Sequence, residues 1–217
     1  MQGRPLDAAV VDVFGAGCDG VQLAPGNAPR RDGVAPVDFG VSTCTHHGFA
    51  WDALRRLVWS PTGELLVTAD STHPPRVTEP AADHWWDRLA RGEFAHAVFE
   101  VMYPGWTLGT GAEIRAAMAE RVALAVDISH LWIQMCAGVV DDATVAALLA
   151  YEHVVEVHVS ANDGRRDQHR PIDASTFGLE WARERLASGT RVVVESYWHR
   201  LSTGERRAQV DLVRGTA

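Results

Sequence analysis

Histidines and acidic residues recur at the ends of short, Val-rich segments of this sequence. In the stretch "EVHVSANDGRRDQH", residues 156–169, an apolar segment contains His158 and is followed closely by Asp167 and His169. Neutral imidazoles and carboxylates are common ligands of zinc, iron and manganese in proteins. The stretch therefore predicts part of a metal site, provided that other strands end with residues of the same kinds.

Such residues do occur at the ends of six successive apolar segments. The candidate metal ligands are His46, His73, Glu100, Asp127, His130, His158, Asp167, His169 and Glu195. His47 is the alternative to His46, because His46 fits a His-x-x-aromatic pattern with Phe49 whereas His47 fits a His-Gly pattern. We favour His46. A single histidine at a strand end is commonly only hydrogen-bonded or solvated, but six such ends in succession favour a metal centre.

The size of this set indicates more than one ion. Three or four carboxylates and four or five imidazoles exceed the ligands of one tetrahedral or octahedral site, and they would be costly to bury unpaired. Carboxylates can also bridge two metal ions about 3.5–4 Å apart. We therefore expect a cluster of two or three ions, and these ligand types suit Fe, Mn and Zn alike.

The elements that would position these residues are short strands that alternate with amphipathic helices. The predicted strands are residues 19–24, 37–45, 65–71, 96–102, 122–129, 154–160 and 191–196. The predicted helices include residues 51–59, 111–120, 141–151, 178–188 and 204–213. This alternation predicts an α/β fold with a parallel sheet covered by helices.

Seven strand–helix units in series favour a TIM-type (β/α) barrel, whose active site lies at the carboxyl ends of the strands. The N-terminal "MQGRPL" is too short and too poor in β-branched residues to supply an eighth strand. We therefore expect an incomplete barrel or a degenerate first strand. Residues 24–36 are rich in Pro and Gly, which predicts a surface loop.

Length and composition narrow the class of protein. The 217 residues, 47% of them hydrophobic, suffice for one sizeable core, so we expect a single barrel domain over residues 1–217. No apolar run approaches the roughly 20 residues that cross a bilayer, and no signal-peptide pattern is present, so we expect a cytoplasmic protein with no membrane partner. The three cysteines are expected to be reduced thiols. A net charge of −8 and the absence of lysine argue against nucleic acid as a partner.

The order of the candidate ligands over residues 46–195 resembles the pattern of the xylose-isomerase-like TIM-barrel superfamily. Endonuclease IV-like enzymes have this complete set around three zinc ions, and "FEVMYPGWTLGTGAEI" resembles their Glu-containing strand and Gly-rich turn. Sugar isomerases and epimerases share mainly the Glu, Asp, His and Glu ligands of one ion. The multinuclear non-haem iron oxidases, known as the DUF692 family, have the complete set around two or three irons.

Two features are most similar to the iron oxidases. Many isomerases and endonucleases continue after Asp-x-His into a Gly-x-Gly turn, whereas "DQHRPIDASTFGLEWA" lacks that turn and leads towards a Trp-containing helix. The stretch "VVEVHVSANDG" also resembles the seventh strand of the oxidases. The chain departs from that family in being short, and its residues before 36 are not matched.

The resemblance implies a role for each candidate ligand, with Glu100 bridging two ions. The other ligands implied for the first ion are Asp127, His158 and Glu195. Those implied for the second ion are His73 and either His46 or His47. Those implied for the third ion are His130, Asp167 and His169.

The same resemblance implies a metal-dependent oxidoreductase that holds two or three Fe ions, with Mn or Zn as alternatives. Its expected substrate is a cysteine-containing peptide or a small thiol that is tailored in natural-product biosynthesis. In the family a separate partner protein often presents the peptide. Three alternatives stay open: a divalent-metal sugar isomerase or epimerase, an endonuclease IV-like zinc phosphodiesterase, and a non-catalytic metal-binding module.

Overall fold

A computed structural model describes residues 6–24, 42–48 and 57–216 of the chain. The strands are β1 (Gly20–Leu23), β2 (Ser42–Thr45), β3 (Val98–Val101), β4 (Ala123–Asp127), β5 (Val154–Val159) and β6 (Arg191–Val194). The helices are α1 (Leu6–Gly15), α2 (Ala82–Ala90), α3 (Gly111–Ala119), α4 (Ile128–Cys136), α5 (Asp142–Leu149), α6 (Leu179–Ala187) and α7 (Thr203–Arg214). A short 3₁₀ helix covers Trp198–Arg200.

All the strand pairs are parallel, which confirms the predicted mixed α/β fold. β1 pairs with β2, and β3, β4, β5 and β6 form a second sheet in that order. Residues 71 and 72, which lie between β2 and β3 along the chain, form two isolated parallel bridges. Ser71 pairs with His46, and Thr72 pairs with Phe99. Within the described ranges no ladder joins β6 to β1.

One predicted strand is wrong. Residues 65–71 do not form a ladder, because their backbone partners change along the segment. The Leu66 N–H donates to the Val58 carbonyl, whereas the N–H groups of Asp70 and Ser71 donate to the carbonyl of Thr45. Six strands are therefore described instead of seven.

Other boundaries also differ from the predictions. The strand predicted over residues 122–129 ends at Asp127, whose side chain accepts hydrogen bonds from the first N–H groups of α4 and so starts a helix there. Of the helix predicted over 51–59, residues 51–56 lie outside the described residues, and residues 57–59 are not helical. Residues 37–41 of the second predicted strand and residues 25–36 of the predicted loop also lie outside the described residues.

The side chains of successive residues in β3, β4 and β5 point to opposite faces of the sheet. Phe99, Leu124 and Val157 belong to the hydrophobic core that the strands share with α2, α3, α5 and α6. Successive strand residues point to opposite faces, so the residues between them point away from the helices. On that second face the register places Asp127 beside His158. The polar residues of the strands are thus gathered on one side.

A cavity of about 500 Å3 lies between β1 and β6, whose facing edges are not paired with each other in the described part of the chain. Helices α1 and α7 contribute to its walls through apolar residues such as Val10 and Val213. Its lining also includes His169 and Glu195, two of the predicted ligands. The gap between the first and last strands therefore reaches the side of the sheet that carries the polar residues.

Two smaller expectations can be compared with the structure. Cys18, Cys44 and Cys136 are all free thiols. None of the helices in the described part of the chain is long and apolar enough to cross a membrane.

The contact between the start of α6 and α4 gives a prediction about stability. Gly178 has φ +72°, and a Cβ there would lie 3.0 Å from a methyl carbon of Ile128, beside Asp127. We expect Gly178→Ala to lower the free energy of unfolding by roughly 2–4 kcal/mol, from left-handed backbone strain and from the crowded methyl group. Urea unfolding followed by circular dichroism measures the loss.

Gly92→Ala is the matched control for this substitution. Gly92 has φ +73°, but no described heavy atom lies within 4 Å of its ideal Cβ. We expect Gly92→Ala to lower the free energy of unfolding only through backbone strain, by roughly 1–2 kcal/mol. Equal losses in the two variants would show that the packing of Gly178 against α4 is unimportant.

Candidate metal centre

The structure brings all nine predicted ligands together at the carboxyl ends of the strands. Each has a side-chain oxygen or nitrogen within 3.4 Å of another member of the set, and two further contacts of 3.6 Å join all nine residues. β3, β4 and β5 supply Glu100, Asp127 and His158, and α4 supplies His130 from its first turn. We call this set of nine residues the ligand cluster.

Glu100 lies at the middle of the ligand cluster and is only 1% exposed. Its Oε2 atom lies 3.2 Å from Nε2 of His46 and 3.0 Å from Nε2 of His73. Its Oε1 atom lies 3.1 Å from Nδ1 of His130 and 3.6 Å from Nδ1 of His158. One carboxylate therefore contacts four imidazoles, which is the arrangement expected of a bridging ligand.

The first candidate ion group consists of His46, His73 and Glu100. The two Nε2 atoms lie 3.1 Å apart, and both are close to the same carboxylate oxygen. Tetrahedral ligands about 2.0–2.2 Å from one ion lie roughly 3.4 Å from each other. The three donor atoms thus have nearly the spacing that a single bound ion would impose.

Asp127, His158 and Glu195 form a second candidate group, and Glu100, Asp127 and His130 form a third. In the second group, Nδ1 of His158 lies 3.3 Å from Oε1 of Glu195. Both groups include Asp127, and Glu100 is close to both, so carboxylates connect the sites. The candidate groups therefore adjoin one another and share carboxylate residues.

Asp167 and His169 extend the third group from the loop after β5. Nε2 of His130 lies 3.4 Å from Asp127 and 3.6 Å from Asp167, and His169 lies 2.9 Å from Asp167. Two backbone hydrogen bonds between Ala161 and Arg170 close this loop. His169 has a positive φ of 45°, an uncommon value for a residue other than glycine.

Several buried atoms of the ligand cluster have no hydrogen-bond partner among the described residues. They are His73 Nδ1, Glu100 Oε2, Asp127 Oδ2, His130 Nε2, His158 Nδ1, Asp167 Oδ1 and His169 Nδ1. Buried polar atoms in folded proteins are normally paired, and exceptions concentrated in one place require an explanation. Metal ions would satisfy these oxygen and nitrogen lone pairs, so the residues present fit the expected cofactor.

Electrostatics also indicate that the site attracts positive charge. Burial by itself lowers the pKa of His158, but the carboxylates of Glu195 and Glu100 raise that pKa well above its usual value. Burial likewise lowers the pKa of His169, and its hydrogen bond to Asp167 raises the pKa to about 9. Burial and the neighbouring carboxylates raise the pKa of Glu195. Bound cations would replace the protons that these groups otherwise retain.

The structure favours His46 over His47 as the ligand. His46 contributes Nε2 to the first ion group, and its Nδ1 lies 2.9 Å from the hydroxyl of Ser71. His47 instead stacks on His73 with ring centroids 3.9 Å apart, and it belongs to none of the candidate ion groups. Burial, together with the nearby imidazoles, lowers the pKa of His47 to about 3, so it packs as a neutral ring.

Glu156 is a buried carboxylate at this site that the sequence analysis did not select. It is 1% exposed and lies 2.7 Å from Nε2 of His158. Its position two residues before His158 in a predicted strand could have indicated that the two side chains share a face. Glu156 was not selected because two of its hydrogen-bond donors, Gln22 and Ser71, are distant in sequence.

Three aromatic rings lie against imidazoles of the ligand cluster. Trp106 packs edge-on against His73 with a centroid separation of 5.1 Å, and the Arg76 guanidinium lies 4.0 Å from the centre of the Trp106 ring. Tyr103 lies 4.8 Å from His130. Tyr197, the third, lies 5.0 Å from His169. The cluster thus has aromatic walls and a nearby guanidinium.

Neither a protein-family model nor a curated protein matches this chain. The chemistry of the site is therefore inferred from its donor atoms. These are imidazoles and carboxylates, a combination that suits iron, manganese and zinc. The cluster is a buried group of residues that could hold metal ions.

The choice between the two adjacent histidines can be tested by metal-dependent stability. Zinc that binds only the folded protein should raise its free energy of unfolding, by about 2.7 kcal/mol at 100 times the dissociation constant. We expect His46→Ala to lose a large part of this gain, because a ligand of the first group is removed. His47→Ala should retain it. Thermal unfolding of chelator-treated protein, with and without zinc, measures both variants, and a greater loss in His47→Ala would reverse the assignment.

Proposed function

We propose that this protein is a multinuclear metalloenzyme, and specifically a non-haem iron oxidase acting on a cysteine-containing peptide or a small thiol. The observation that supports this most strongly is the position of Glu100 between imidazoles of three candidate ion groups. A carboxylate shared in this way is typical of sites in which neighbouring ions act together on one substrate. The resemblance of the ligand pattern to the iron oxidases supplies the choice of metal and substrate.

The proposed fold is an incomplete TIM-type barrel. Six parallel strands follow one another in chain order, and the bridges at Ser71 and Thr72 place one further segment between β2 and β3. The proposed gap in the barrel lies between β6 and β1, where the cavity of about 500 Å3 is found. The position of the ligands at the carboxyl ends of the strands agrees with such a barrel.

In this proposal the protein holds the ions and leaves room for substrate at one of them. Bound iron would supply the one-electron chemistry and the reactivity with O₂. Among the described residues, the first group has three protein donors, His46, His73 and Glu100. Catalytic metal sites characteristically keep a position open for substrate in this way. A substrate thiolate is expected to bind at this group.

Residues beside the first group would then orient the substrate. The Trp106 ring packs against His73 and provides an apolar wall next to the open position. The guanidinium of Arg76 lies over the Trp106 ring and can donate hydrogen bonds to a peptide carbonyl or carboxylate. Together they favour a substrate that has both apolar and hydrogen-bond-accepting parts, as a peptide does.

The oxidase proposal is tested by its dependence on oxygen. Protein loaded with ferrous iron should consume O₂ when a cysteine-containing peptide or small thiol is added, and should consume little with the matched serine-containing compound. The reason is that the thiolate is expected to bind the open position of the first group. An oxygen electrode and mass spectrometry of the thiol compound measure the reaction.

The control is the same protein with zinc or manganese under nitrogen. Turnover of a sugar under those conditions, without oxygen uptake on any thiol offered, would replace the oxidase proposal with an isomerase. Cleavage of a phosphodiester by the zinc form would likewise indicate an endonuclease-like hydrolase. Metal binding without any of these reactions would indicate a non-catalytic module.

A further inference from the structure

Glu156 lies on β5 beneath the ligand cluster and is not among its nine residues. It shares a strand face with His158, and the register of the sheet places it beside Ala125 on one side and Arg191 on the other. The small side chain of Ala125 leaves space on that face between Glu100 on β3 and Glu156 on β5. A further buried carboxylate, besides Glu100 and Asp127, is therefore present in the floor of the site.

Four side chains donate hydrogen bonds to Glu156, three of them to the same oxygen. Its Oε1 atom accepts from Gln22 Nε2 at 2.9 Å, from the Ser71 hydroxyl at 2.6 Å and from His158 Nε2 at 2.7 Å. Its Oε2 atom accepts from the Arg191 guanidinium at 2.9 Å. Each carboxylate oxygen offers about two lone-pair sites, so the three donors at Oε1 leave that oxygen with none free.

This saturation decides between two roles for Glu156. Its distances to His46 and His158 would also allow the three residues to form an ion group. A metal ligand needs a free lone pair, however, and Oε1, the oxygen beside His158, already accepts hydrogen bonds from three side chains. Oε2 is bound by the Arg191 guanidinium. Glu156 is therefore better suited to hold other ligands in place than to bind an ion.

One of these hydrogen bonds determines how His158 faces the cluster. Because Glu156 accepts from Nε2, the proton of a neutral His158 lies on Nε2 and the lone pair lies on Nδ1. That Nδ1 atom has no hydrogen-bond partner among the described residues, and it lies 3.3 Å from Glu195 and 3.6 Å from Glu100. The bond thus directs the free lone pair of His158 at the second ion group.

A second hydrogen-bond path, through Ser71, directs the free lone pair of His46 at the first ion group. The Ser71 hydroxyl has one proton, which it donates to Glu156, so its oxygen accepts from Nδ1 of His46 at 2.9 Å. A neutral His46 with its proton on Nδ1 has its lone pair on Nε2. That atom belongs to the first ion group, 3.2 Å from Glu100.

We infer that Glu156 is a positioning residue that sets the orientation and proton position of His46 and His158, and so couples the first and second ion groups. The inference rests on the proposed metal centre, but not on the oxidase reaction. Gln22 from β1 and Arg191 from β6 hold the carboxylate from two further strands. Partners of this kind fix the ring orientation of metal-binding histidines, and losing one typically costs about 10–100-fold in metal affinity.

Two substitutions separate the two hydrogen-bond paths. Ser71→Ala interrupts only the path to His46, so we expect zinc affinity to fall about 10–100-fold at one ion and to stay unchanged at the other. Glu156→Gln interrupts both paths, so we expect affinity to fall at both ions. Calorimetric titration of metal-free protein with zinc measures the number of ions and each affinity.

The proton positions provide a second readout that a merely structural effect would not change. Nitrogen NMR of the zinc-loaded wild type should show His158 protonated at Nε2 and His46 protonated at Nδ1. In Ser71→Ala only His46 should lose its fixed proton position. Ser160→Ala is the matched control, because Ser160 is also a buried serine near the cluster but its hydroxyl has no hydrogen-bond partner among the described residues. It should bind zinc as the wild type does.

The outcomes distinguish this inference from the proposal on which it rests. If the wild type binds no zinc or a single ion, the metal centre itself is wrong. If the wild type binds two or more ions and Glu156→Gln binds them equally well, only the positioning role is wrong. Equal losses at both ions in Ser71→Ala would also overturn it, since that variant breaks a single path. Urea unfolding of each metal-free variant identifies any that fail to fold, and in that case Ser71→Ala, the smaller change, decides alone.

Discussion

Burial of the Glu100 carboxylate among imidazole nitrogens is the constraint on which the rest of this site depends. Glu100 is 1% exposed, and nitrogens of four histidines lie within 3.6 Å of it. A buried carboxylate is costly unless positive charge or hydrogen-bond donors surround it. Its Oε2 atom has no hydrogen-bond partner among the described residues, so the imidazoles do not satisfy it by hydrogen bonding alone. Bound cations would remove this cost, and the other ligands are arranged around the same point.

The two faces of the sheet carry different kinds of residue, and this arrangement places the polar side chains around Glu100. Phe99, Val126 and Val157 pack with the helices, and the residues that alternate with them face the ligand cluster. Since all the strand pairs are parallel, their carboxyl ends lie at the same edge, and ligands from separate strands meet there. Asp127 shows how closely fold and site are joined, because it ends β4, accepts hydrogen bonds from the start of α4, and belongs to two ion groups.

Features of the site that depend on local sequence were predictable, and features that depend on distant contacts were not. The nine candidate ligands could be selected because each lies at or near a strand end, a position set by a short apolar segment. The strand over residues 65–71 was wrong because its backbone partners change along it, which no local pattern reveals. His46 and His47 were hard to separate because only the contact with Ser71 distinguishes them. Glu156 was missed since its donors Gln22 and Ser71 are 134 and 85 residues away in sequence.

We propose that Glu100 bridges ions within a multinuclear centre. The most direct test is a crystal structure of protein purified without oxygen and loaded with iron, with anomalous diffraction recorded at the iron edge. We predict two or three iron positions, at least two of which lie at bonding distance, roughly 2.0–2.2 Å, from oxygens of Glu100. A single iron position, or several positions with none in contact with Glu100, would contradict the account.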